Sequence, residues 1–302
     1  MNEEIIGRFA PSPTGRMHLG NVFAALLSYC DSKSQGGKWL VRHEDLDPQR
    51  SRREYARQIE DDLLWLGLIP DEKPEYQSER HHHYEESLEK LRQTGLTYGC
   101  SCTRADILAT QAPHQSDGRV IYGGRCRPAS LPCFAPEPEG KHSVRLYVPD
   151  REIRFTDGLY GPQTVNLAQE CGDFIVRRAD GAWAYQLAVV TDDALMGVNR
   201  IVRGSDLLLS AAQQLYLYEL LGLPMPEFKH IPLLCNSDGR RLSKRDKSLA
   251  MDSLRRDYTP EKIIGLTAHL SGIAPTDSPL SLSALTELYA INPLTPNLTA
   301  RI

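Results

Sequence analysis

The chain has 302 residues, of which 41% are hydrophobic and 25% charged, and its net charge at pH 7 is −4. These values are ordinary for a globular protein, and no apolar run is long enough to cross a bilayer. The N-terminus, "MNEEIIGRFA", lacks the basic start and apolar stretch of a signal peptide. We therefore expect a cytoplasmic protein with no membrane partner.

The negative net charge excludes a global electrostatic signal for nucleic acid, so an RNA partner would need a local basic face. Two stretches of the sequence are candidates for such a face. They contain Arg50, Arg52 and Arg53, and then Arg240, Arg241, Lys244, Arg245 and Lys247. Each stretch on its own is typical of solvated surface.

The first elements alternate between strand and helix. Residues 4–10 predict a short buried strand, "NVFAALLSYCDSK" predicts a helix, and "KWLVRHED" predicts a second strand with charge at its end. Ser51 and Glu54 predict a capping box for the helix "SRREYARQIEDDLLWLG", and Gly67 predicts its end. A further helix is predicted from about residue 78 to 95. This rhythm indicates an α/β fold with a parallel sheet and crossover helices.

The composition changes from about residue 97 to 175, where Pro, Gly and Cys accompany short strand-like segments such as "SVRLYV" and "DFIVRR". The α/β rhythm returns with "AYQLAVVTDDAL" and "NRIVRG", a helix to Gly222, and the strand "KHIPLL". We therefore predict a Rossmann-type catalytic domain in two halves, 1–96 and 176–235. A β-rich insertion at 97–175 separates the two halves. The last region, 236–302, is predicted to contain a polar loop with several lysines and arginines (the lysine loop), followed by a short helical C-terminal subdomain.

The opening loop, "RFAPSPTGRMHLGN", has a glycine spacing that raises the possibility of a phosphate-binding P-loop. That motif requires Lys and Ser/Thr next, and Asn21 and Val22 stand there instead. What remains is a strand, a turn-rich loop and a helix N-terminus, which can hold an anion through its unpaired amides. Gly20 permits close approach of a ligand, and His18 offers a side-chain donor for a phosphate.

A second segment, "RRLSKRD" at 240–246, presents Lys244 after the polar stretch "NSDG". A lysine in such a loop can reach phosphate oxygens as their negative charge grows in a transition state. Alone, this segment is equally typical of a solvated basic loop.

Seven cysteines, an odd number, argue against a disulfide framework. Three of them, Cys100, Cys102 and Cys126, are close enough in the sequence for a structural zinc site in the insertion. The residues themselves leave the fourth ligand open. The candidates are Tyr122, His114 and Cys133.

Together, "MHLG" and "RLSKR" resemble the paired signature sequences of class I aminoacyl-tRNA synthetases. The longer "RFAPSPTGRMHLGN" is similar to the glutamyl-tRNA synthetase form, and the resemblance continues through "VRHEDLDPQRS" and "AYQLAVVTDDALMGVNRIVRGSDLL". It covers most of residues 5–250. Met17 and Leu19 depart from the first signature at tolerant positions, and Arg241 replaces a lysine in the second while keeping its charge.

The resemblance implies roles for individual residues. It implies that ATP, with Mg²⁺, is bound by His18, Gly20, Asn21 and Lys244, with His18 and Lys244 as the catalytic residues. It implies a glutamate site formed by Arg8, Ser12, Glu44, Tyr185 and Arg203. The two arginines suit its carboxylates and Glu44 its ammonium. The family's cysteine pattern favours Tyr122 as the fourth ligand of one structural Zn²⁺, beside Cys100, Cys102 and Cys126. It also implies an acceptor-binding role for the insertion and a stem-contacting role for the last helices.

Only about 55 residues follow the lysine loop, which is short for the anticodon-reading region of a glutamyl-tRNA synthetase. This shortness and the cysteine–tyrosine pattern together favour a resemblance to a shortened branch of the family, the glutamyl-Q tRNA(Asp) synthetases. That branch activates glutamate without tRNA and attaches it to queuosine in the anticodon loop of tRNA(Asp), and we expect a monomer with these partners.

Three alternatives stay open at this stage. One is a truncated glutamyl-tRNA synthetase that charges a tRNA 3′ end. A second is a ligase that joins a carboxylic acid to a small amine, and a third is an RNA-binding relative without chemistry.

Overall fold

The computed structural model describes residues 4–109, 121–134, 137–235, 249–292 and 294. Its first half contains β1 (Ile6–Phe9), α1 (Leu19–Lys33), β2 (Lys38–His43), α2 (Arg53–Trp65), β3 (Glu75–Tyr76) and α3 (His81–Gln93). Next come β4 (Thr97–Cys100), α4 (Arg104–Ala109), β5 (Ser143–Leu146), β6 (Glu152–Asp157), β7 (Gly161–Asn166), α5 (Leu167–Glu170) and β8 (Phe174–Arg177). The remaining elements are α6 (Tyr185–Leu195), β9 (Arg200–Gly204), α7 (Leu208–Leu221), β10 (Glu227–Ile231), α8 (Met251–Asp257), α9 (Pro260–Leu270) and α10 (Leu282–Ile291).

The main sheet has five strands in the order β10-β9-β1-β2-β3, and all of its pairings are parallel. From β1 the chain runs outward through β2 and β3, and it later returns to the other side of β1 with β9 and β10. The strand order therefore reverses between β1 and β9. In open parallel sheets, ligands bind at the carboxyl ends of the strands beside such a reversal. The predicted Rossmann-type α/β fold is confirmed.

Side chains of the central strands alternate between two hydrophobic layers, as the two-residue period of a strand requires. Trp39 and Val41 of β2 belong to the layer that α1 shares with α8, α9 and α10. Leu40 belongs to the opposite layer, together with residues of α3, α6 and α7. The sheet is thus covered on both faces, which is the usual state of a parallel sheet.

The segment between α3 and α6 is rich in strands, as its composition predicts. β4, β5 and β8 form an antiparallel three-stranded sheet, and β6 pairs with β7 as a separate hairpin. Its apolar side chains, such as Val144 and Phe174, join the layer that contains α6 and α7. The division of the chain at residues 97, 176 and 236 stays a prediction.

α9 and α10 pack on α1, and α8 joins the same hydrophobic layer through Met251 and Leu254. Buried polar contacts reinforce this packing, since Asp31 of α1 accepts hydrogen bonds from Lys229 and from Tyr289 of α10. In the described part of the chain, no helix is long and apolar enough to span a membrane.

The predicted capping box at Ser51 is wrong. α2 begins at Arg53, and Arg52 occupies the cap position without a side-chain hydrogen bond to the helix. A turn in which the amide of Ser51 donates to the carbonyl of Asp47 delays the start of the helix. The end is as predicted, because Gly67 adopts a left-handed φ of 80° just beyond α2.

Candidate functional site

A cleft of about 530 Å³ opens at the carboxyl ends of β1, β2, β9 and β10. Every candidate residue for ATP and glutamate that lies within the described residues borders it. These are Arg8, Ser12, His18, Gly20, Asn21, Glu44, Tyr185 and Arg203. The opening loop with His18 thus lies in the same cleft as Tyr185 and Arg203, which follow His18 by more than 160 positions in the sequence. The cleft lies beside the reversal of strand order, where the fold predicts a ligand site.

The opening loop is held in place by backbone hydrogen bonds to the segment that follows β2. The amide of Glu44 donates to the carbonyl of Pro11 at 2.9 Å, and the amide of Arg52 donates to Pro13 at 3.0 Å. These bonds fix Ser12 between two anchored prolines. The loop is therefore a preformed rim of the cleft.

His18 is the N-cap of α1. Its Nδ1 accepts the amide hydrogen of Gly20 at 3.1 Å, while its own amide donates to Oδ1 of Asn21 at 3.1 Å. A neutral imidazole that accepts at Nδ1 carries its proton on Nε2, so Nε2 is the ring's donor. A Cβ at position 20 would lie 2.9 Å from the His18 ring, so glycine is needed here for the imidazole as well as for any ligand.

Lys244 and the rest of residues 236–248 lie outside the described residues. The described residues on either side do reach the cleft. Leu233 and Leu234 line it, and Ala250 forms an antiparallel bridge with His18. The amide of Met251 also donates to the carbonyl of Met17 at 3.0 Å. Both flanks of the lysine segment therefore border the same site as His18.

A buried ion network supports the wall of the cleft that carries Arg8. Oδ1 of Asp193, on α6, accepts from Nε of Arg8 at 3.2 Å and from a terminal nitrogen of Arg42 at 2.6 Å. All three side chains are almost fully buried. Burial alone would raise the pKa of Asp193, but Arg42 and Arg8 outweigh it and hold the pKa below its ordinary value. The carboxylate is therefore ionised and fixes Arg8 at the cleft wall.

Glu44 stands on the same wall, with Oε1 at 3.6 Å from a terminal nitrogen of Arg42. Burial raises the pKa of Glu44 to about 7, against the opposing effect of Arg42 and Arg8. A carboxylate in this state is stabilised when a cation enters the cleft beside it. The site therefore offers a place for an ammonium group.

Arg203, on β9, enters the cleft from the other side of β1. Its Nε lies 3.1 Å from Nε2 of His230, and one terminal nitrogen donates to Oε1 of Gln214 at 2.8 Å. The other terminal nitrogen donates to the carbonyl of Leu207 at 3.3 Å. Tyr185, the first residue of α6, also borders the cleft and keeps 37% of its surface exposed there.

Three cysteines of the strand-rich segment between α3 and α6 form a compact group that does not line the cleft. Ligand atoms of Cys100, Cys102 and Cys126 all lie within 4.8 Å of one another, an arrangement that could hold a metal ion. The Tyr122 hydroxyl is 3.5 Å from Sγ of Cys100 and accepts the amide hydrogen of Cys126 at 2.6 Å. Burial raises the pKa of Cys126, but hydrogen bonds from Tyr122 and Cys102 outweigh it and bring the value to about 7. Cys133 is not part of this group, and His114 lies outside the described residues.

The sequence did not predict the buried residues that hold the cleft residues in place. Arg42, Asp193 and His230 make no ligand-binding pattern in the sequence, yet each is buried and holds a cleft residue. A signal was present, since Arg42 directly follows the apolar run "WLV" within a central strand and Asp193 lies in the largely apolar helix "YQLAVVTDDAL". Charged residues inside buried elements require partners, and those partners can be functional.

Comparison with known proteins agrees with this geometry. Residues 4–280 match the family described as "tRNA synthetases class I (E and Q), catalytic domain". A protein of Neisseria meningitidis serogroup C named "Glutamyl-Q tRNA(Asp) synthetase" is 47% identical over 277 residues, which are 91% of this chain and 92% of that protein. A protein of the same name from Thiobacillus denitrificans is 43% identical over 90% of each chain.

Two solved structures are similar over 99% of this chain. One is a glutamate tRNA ligase from Elizabethkingia meningosepticum in complex with its amino acid, with a TM-score of 0.83, 29% identity and 67% of that chain covered. The other is a glutamate-tRNA synthetase from Elizabethkingia anophelis, with a TM-score of 0.84, 29% identity and 68% of that chain covered.

We expect Glu44→Gln to stabilise the protein at alkaline pH. The folded-state pKa of Glu44, about 7, exceeds its ordinary value of 4.5. The protonated carboxyl therefore contributes stability below about pH 4.5, and this contribution is lost as the pH rises to about 7. Glutamine keeps the neutral form, so the gain at pH 8 should be on the order of 1–3 kcal/mol and should shrink at pH 5.

Urea unfolding of both proteins at pH 5 and pH 8 measures this gain. Glu89→Gln, on the exposed side of α3, controls for the loss of one negative charge. A Glu44→Gln protein that is less stable than wild type at pH 8 would contradict the burial argument.

Proposed function

Because the chain belongs to the class I tRNA synthetases of the glutamate and glutamine type, and is a ligase like its relatives, we propose a two-step reaction for it. It activates L-glutamate with ATP, bound as its Mg²⁺ complex, without tRNA. It then transfers the glutamyl group to queuosine in the anticodon loop of tRNA(Asp). The observation that carries the first step is the convergence of Arg8, Glu44, Arg203 and His18 on one cleft.

The charges of the cleft fit glutamate. Arg8 and Arg203 supply guanidinium groups for its two carboxylates, and Glu44 supplies a carboxylate for its ammonium. Both arginines are nearly buried, at 3% and 6% exposure, so a bound acid meets them with little competition from water. Ser12 and Tyr185 add hydroxyl groups at the rim. Aspartate, being one methylene shorter, would leave one of these charges unpaired and should be a poor substrate.

ATP is proposed to lie along the opening loop. The N-terminus of α1 supplies amides and partial positive charge for the phosphates, and Nε2 of His18 supplies a hydrogen-bond donor. Gly20 and Asn21 keep this turn compact, since Asn21 caps the amide of His18. The proposed role of Lys244 is to neutralise the charge that grows on the phosphates, and the flanks of its segment border the cleft.

The chemistry is then mainly positioning and charge neutralisation. The α-carboxylate of glutamate attacks the α-phosphorus of ATP, a new P–O bond forms, and pyrophosphate leaves. A hydroxyl of the cyclopentenediol ring of queuosine then attacks the glutamyl carbonyl, an ester C–O bond forms, and AMP leaves with the electron pair of the broken C–O bond while the hydroxyl proton passes to solvent. The choice of queuosine as acceptor is supported by the name that relatives of nearly equal length share.

We propose that the cysteine group holds one structural Zn²⁺, with Tyr122 as the fourth ligand. Tetrahedral zinc with Zn–S bonds of about 2.3 Å keeps its sulfurs about 3.8 Å apart. The 3.5 Å between Sγ of Cys102 and Sγ of Cys126 is close to that value. The Tyr122 hydroxyl lies 3.5 Å from Sγ of Cys100 and so borders the three sulfurs. Such a closed site would hold the insertion together and would take no part in catalysis.

Lys244→Ala should slow activation of glutamate far more than it weakens glutamate binding. Removing a charge that acts on the transition state lowers kcat by about 10²–10³-fold while the KM for glutamate changes little. Glutamate-dependent exchange of pyrophosphate into ATP, without tRNA, is the measurement. Lys247→Ala is the matched control in the same segment and should retain exchange. Equal losses in kcat and in glutamate affinity would show that the proposed role is wrong.

Transfer should depend on the cis-diol of queuosine. tRNA(Asp) that contains queuosine should accept labelled glutamate, whereas the same tRNA after periodate oxidation, or tRNA without queuosine, should not. Periodate also destroys the 3′-terminal diol, so the tRNA that lacks queuosine but keeps an intact 3′ end separates the two acceptors. Labelling of that tRNA would favour 3′-end charging and contradict the proposal.

Purified protein should contain about one zinc per chain by elemental mass spectrometry, since the cysteine group supplies one closed set of ligands. Cys100→Ser should lose the metal and lower the melting temperature. Cys133→Ser, which changes a cysteine outside the group, should keep the metal and the melting temperature of the wild type. A fully folded wild-type protein without zinc would contradict the proposed site.

A further inference from the structure

A chain of buried side chains runs behind the cleft from the insertion to Arg203. Oδ2 of Asp157, at the end of β6, lies 2.6 Å from Nδ1 of His230 on β10. Nε2 of His230 in turn lies 3.1 Å from Nε of Arg203 on β9. Asp157, His230 and Arg203 are 2%, 0% and 6% exposed. The mechanism described above uses only the last of these residues.

The partners of His230 determine which of its nitrogens carries the proton. Burial raises the pKa of Asp157, but hydrogen bonds from His230 and from the amides of Tyr160 and Leu159 outweigh it, so the pKa lies below its ordinary value. An ionised carboxylate only accepts, so Nδ1 of His230 must donate. Nε of Arg203 only donates, so Nε2 of His230 must accept. Both conditions hold only for a neutral ring with its proton on Nδ1.

Neutrality of the ring has a second source. Burial lowers the pKa of His230 and the Arg203 charge lowers it further. Asp157 and a hydrogen bond to the Leu207 backbone act in the opposite direction, but the pKa still lies below its ordinary value. The backbone amide of His230 also donates to Oδ2 of Asp157 at 3.0 Å, which ties the carboxylate to the strand. The aspartate therefore has a fixed position relative to the ring that it orients.

The hydrogen bonds to His230, Gln214 and Leu207 fix the guanidinium of Arg203. Among the described residues, its acceptors are His230, Gln214 and Leu207, and they take one N–H each from Nε and from the two terminal nitrogens. One N–H remains on each terminal nitrogen, which is the number that a bidentate carboxylate needs. The Phe228 ring lies 5.0 Å from the guanidinium carbon and blocks one side of it.

We propose that Asp157 and His230 are positioning residues, which hold Arg203 so that its two remaining N–H groups face the carboxylate of the amino-acid substrate. The proposal rests on the proposed function, because it takes glutamate as the ligand of Arg203. It also assigns a task to the β6–β7 hairpin, which contacts β10 again where the amide of Gly158 donates to the carbonyl of Phe228 at 2.8 Å. The insertion thus supports the amino-acid site directly.

Three substitutions separate positioning from simple packing. His230→Met fills the space without an acceptor for Nε of Arg203. Asp157→Asn turns a donor toward Nδ1 and so favours the wrong tautomer. Each should raise the KM for glutamate in pyrophosphate exchange by about tenfold or more, while the KM for ATP stays within about twofold. His230→Gln restores an acceptor near the position of Nε2, and its KM for glutamate should return to within about threefold of wild type.

Lys229→Met is the matched control, at the residue that precedes His230 in β10. It removes a partly buried ion pair with Asp31 but does not touch Arg203, so it should lower the melting temperature without changing the KM for glutamate. If His230→Met and His230→Gln behave alike, or if the KM for ATP rises as much as that for glutamate, the positioning proposal is wrong.

The tautomer can be measured without any activity assay. Nitrogen-15 NMR of histidine-labelled wild-type protein should show His230, assigned by its loss in His230→Gln, with the proton on Nδ1. A proton on Nε2 would overturn the proposal whatever the kinetics show. If the wild-type protein does not exchange pyrophosphate with glutamate, the proposed function fails, and the tautomer then decides separately only whether His230 accepts from Arg203.

Discussion

The site depends on a buried carboxylate between two buried guanidinium groups. Asp193 of α6 accepts from Arg8 of β1 and from Arg42 of β2, and none of the three is more than 3% exposed. Each charge alone would be costly to bury, and removing one would leave the others without compensation. Because the three come from different elements, their pairing also fixes α6 against the sheet and directs Arg8 into the cleft.

The same buried charges explain why the pKa of Glu44 lies near 7. Asp193 and Asp192 already balance much of the positive charge around Arg42, and burial then raises the pKa of Glu44 to about 7. A cation that entered the cleft beside Glu44 would supply the missing positive charge. The site is thus less than optimal for stability in its empty state and is completed by a ligand, as is common for preorganised binding sites.

The two walls of the cleft are organised by different means. On the wall that carries His18, backbone geometry prevails, with His18 capping α1 and the opening loop tied to Glu44 and Arg52. On the wall that carries Arg8 and Arg203, buried side-chain networks prevail, and one of them reaches the β6–β7 hairpin through Asp157. The strand-rich segment between α3 and α6 therefore helps to support the site.

The sequence by itself determined the α/β rhythm, the opening loop with His18, and the candidate residues of the cleft, because these signals are local or lie in recognisable segments. Only the tertiary structure decided which buried groups support them, since Arg8 and Asp193 are 185 positions apart and His230 and Asp157 are 73 apart. Pairings at such separations leave no periodicity in the sequence. The start of α2 illustrates the same limit on a small scale, because Ser51 matches a capping pattern and a turn at Asp47 overrides it.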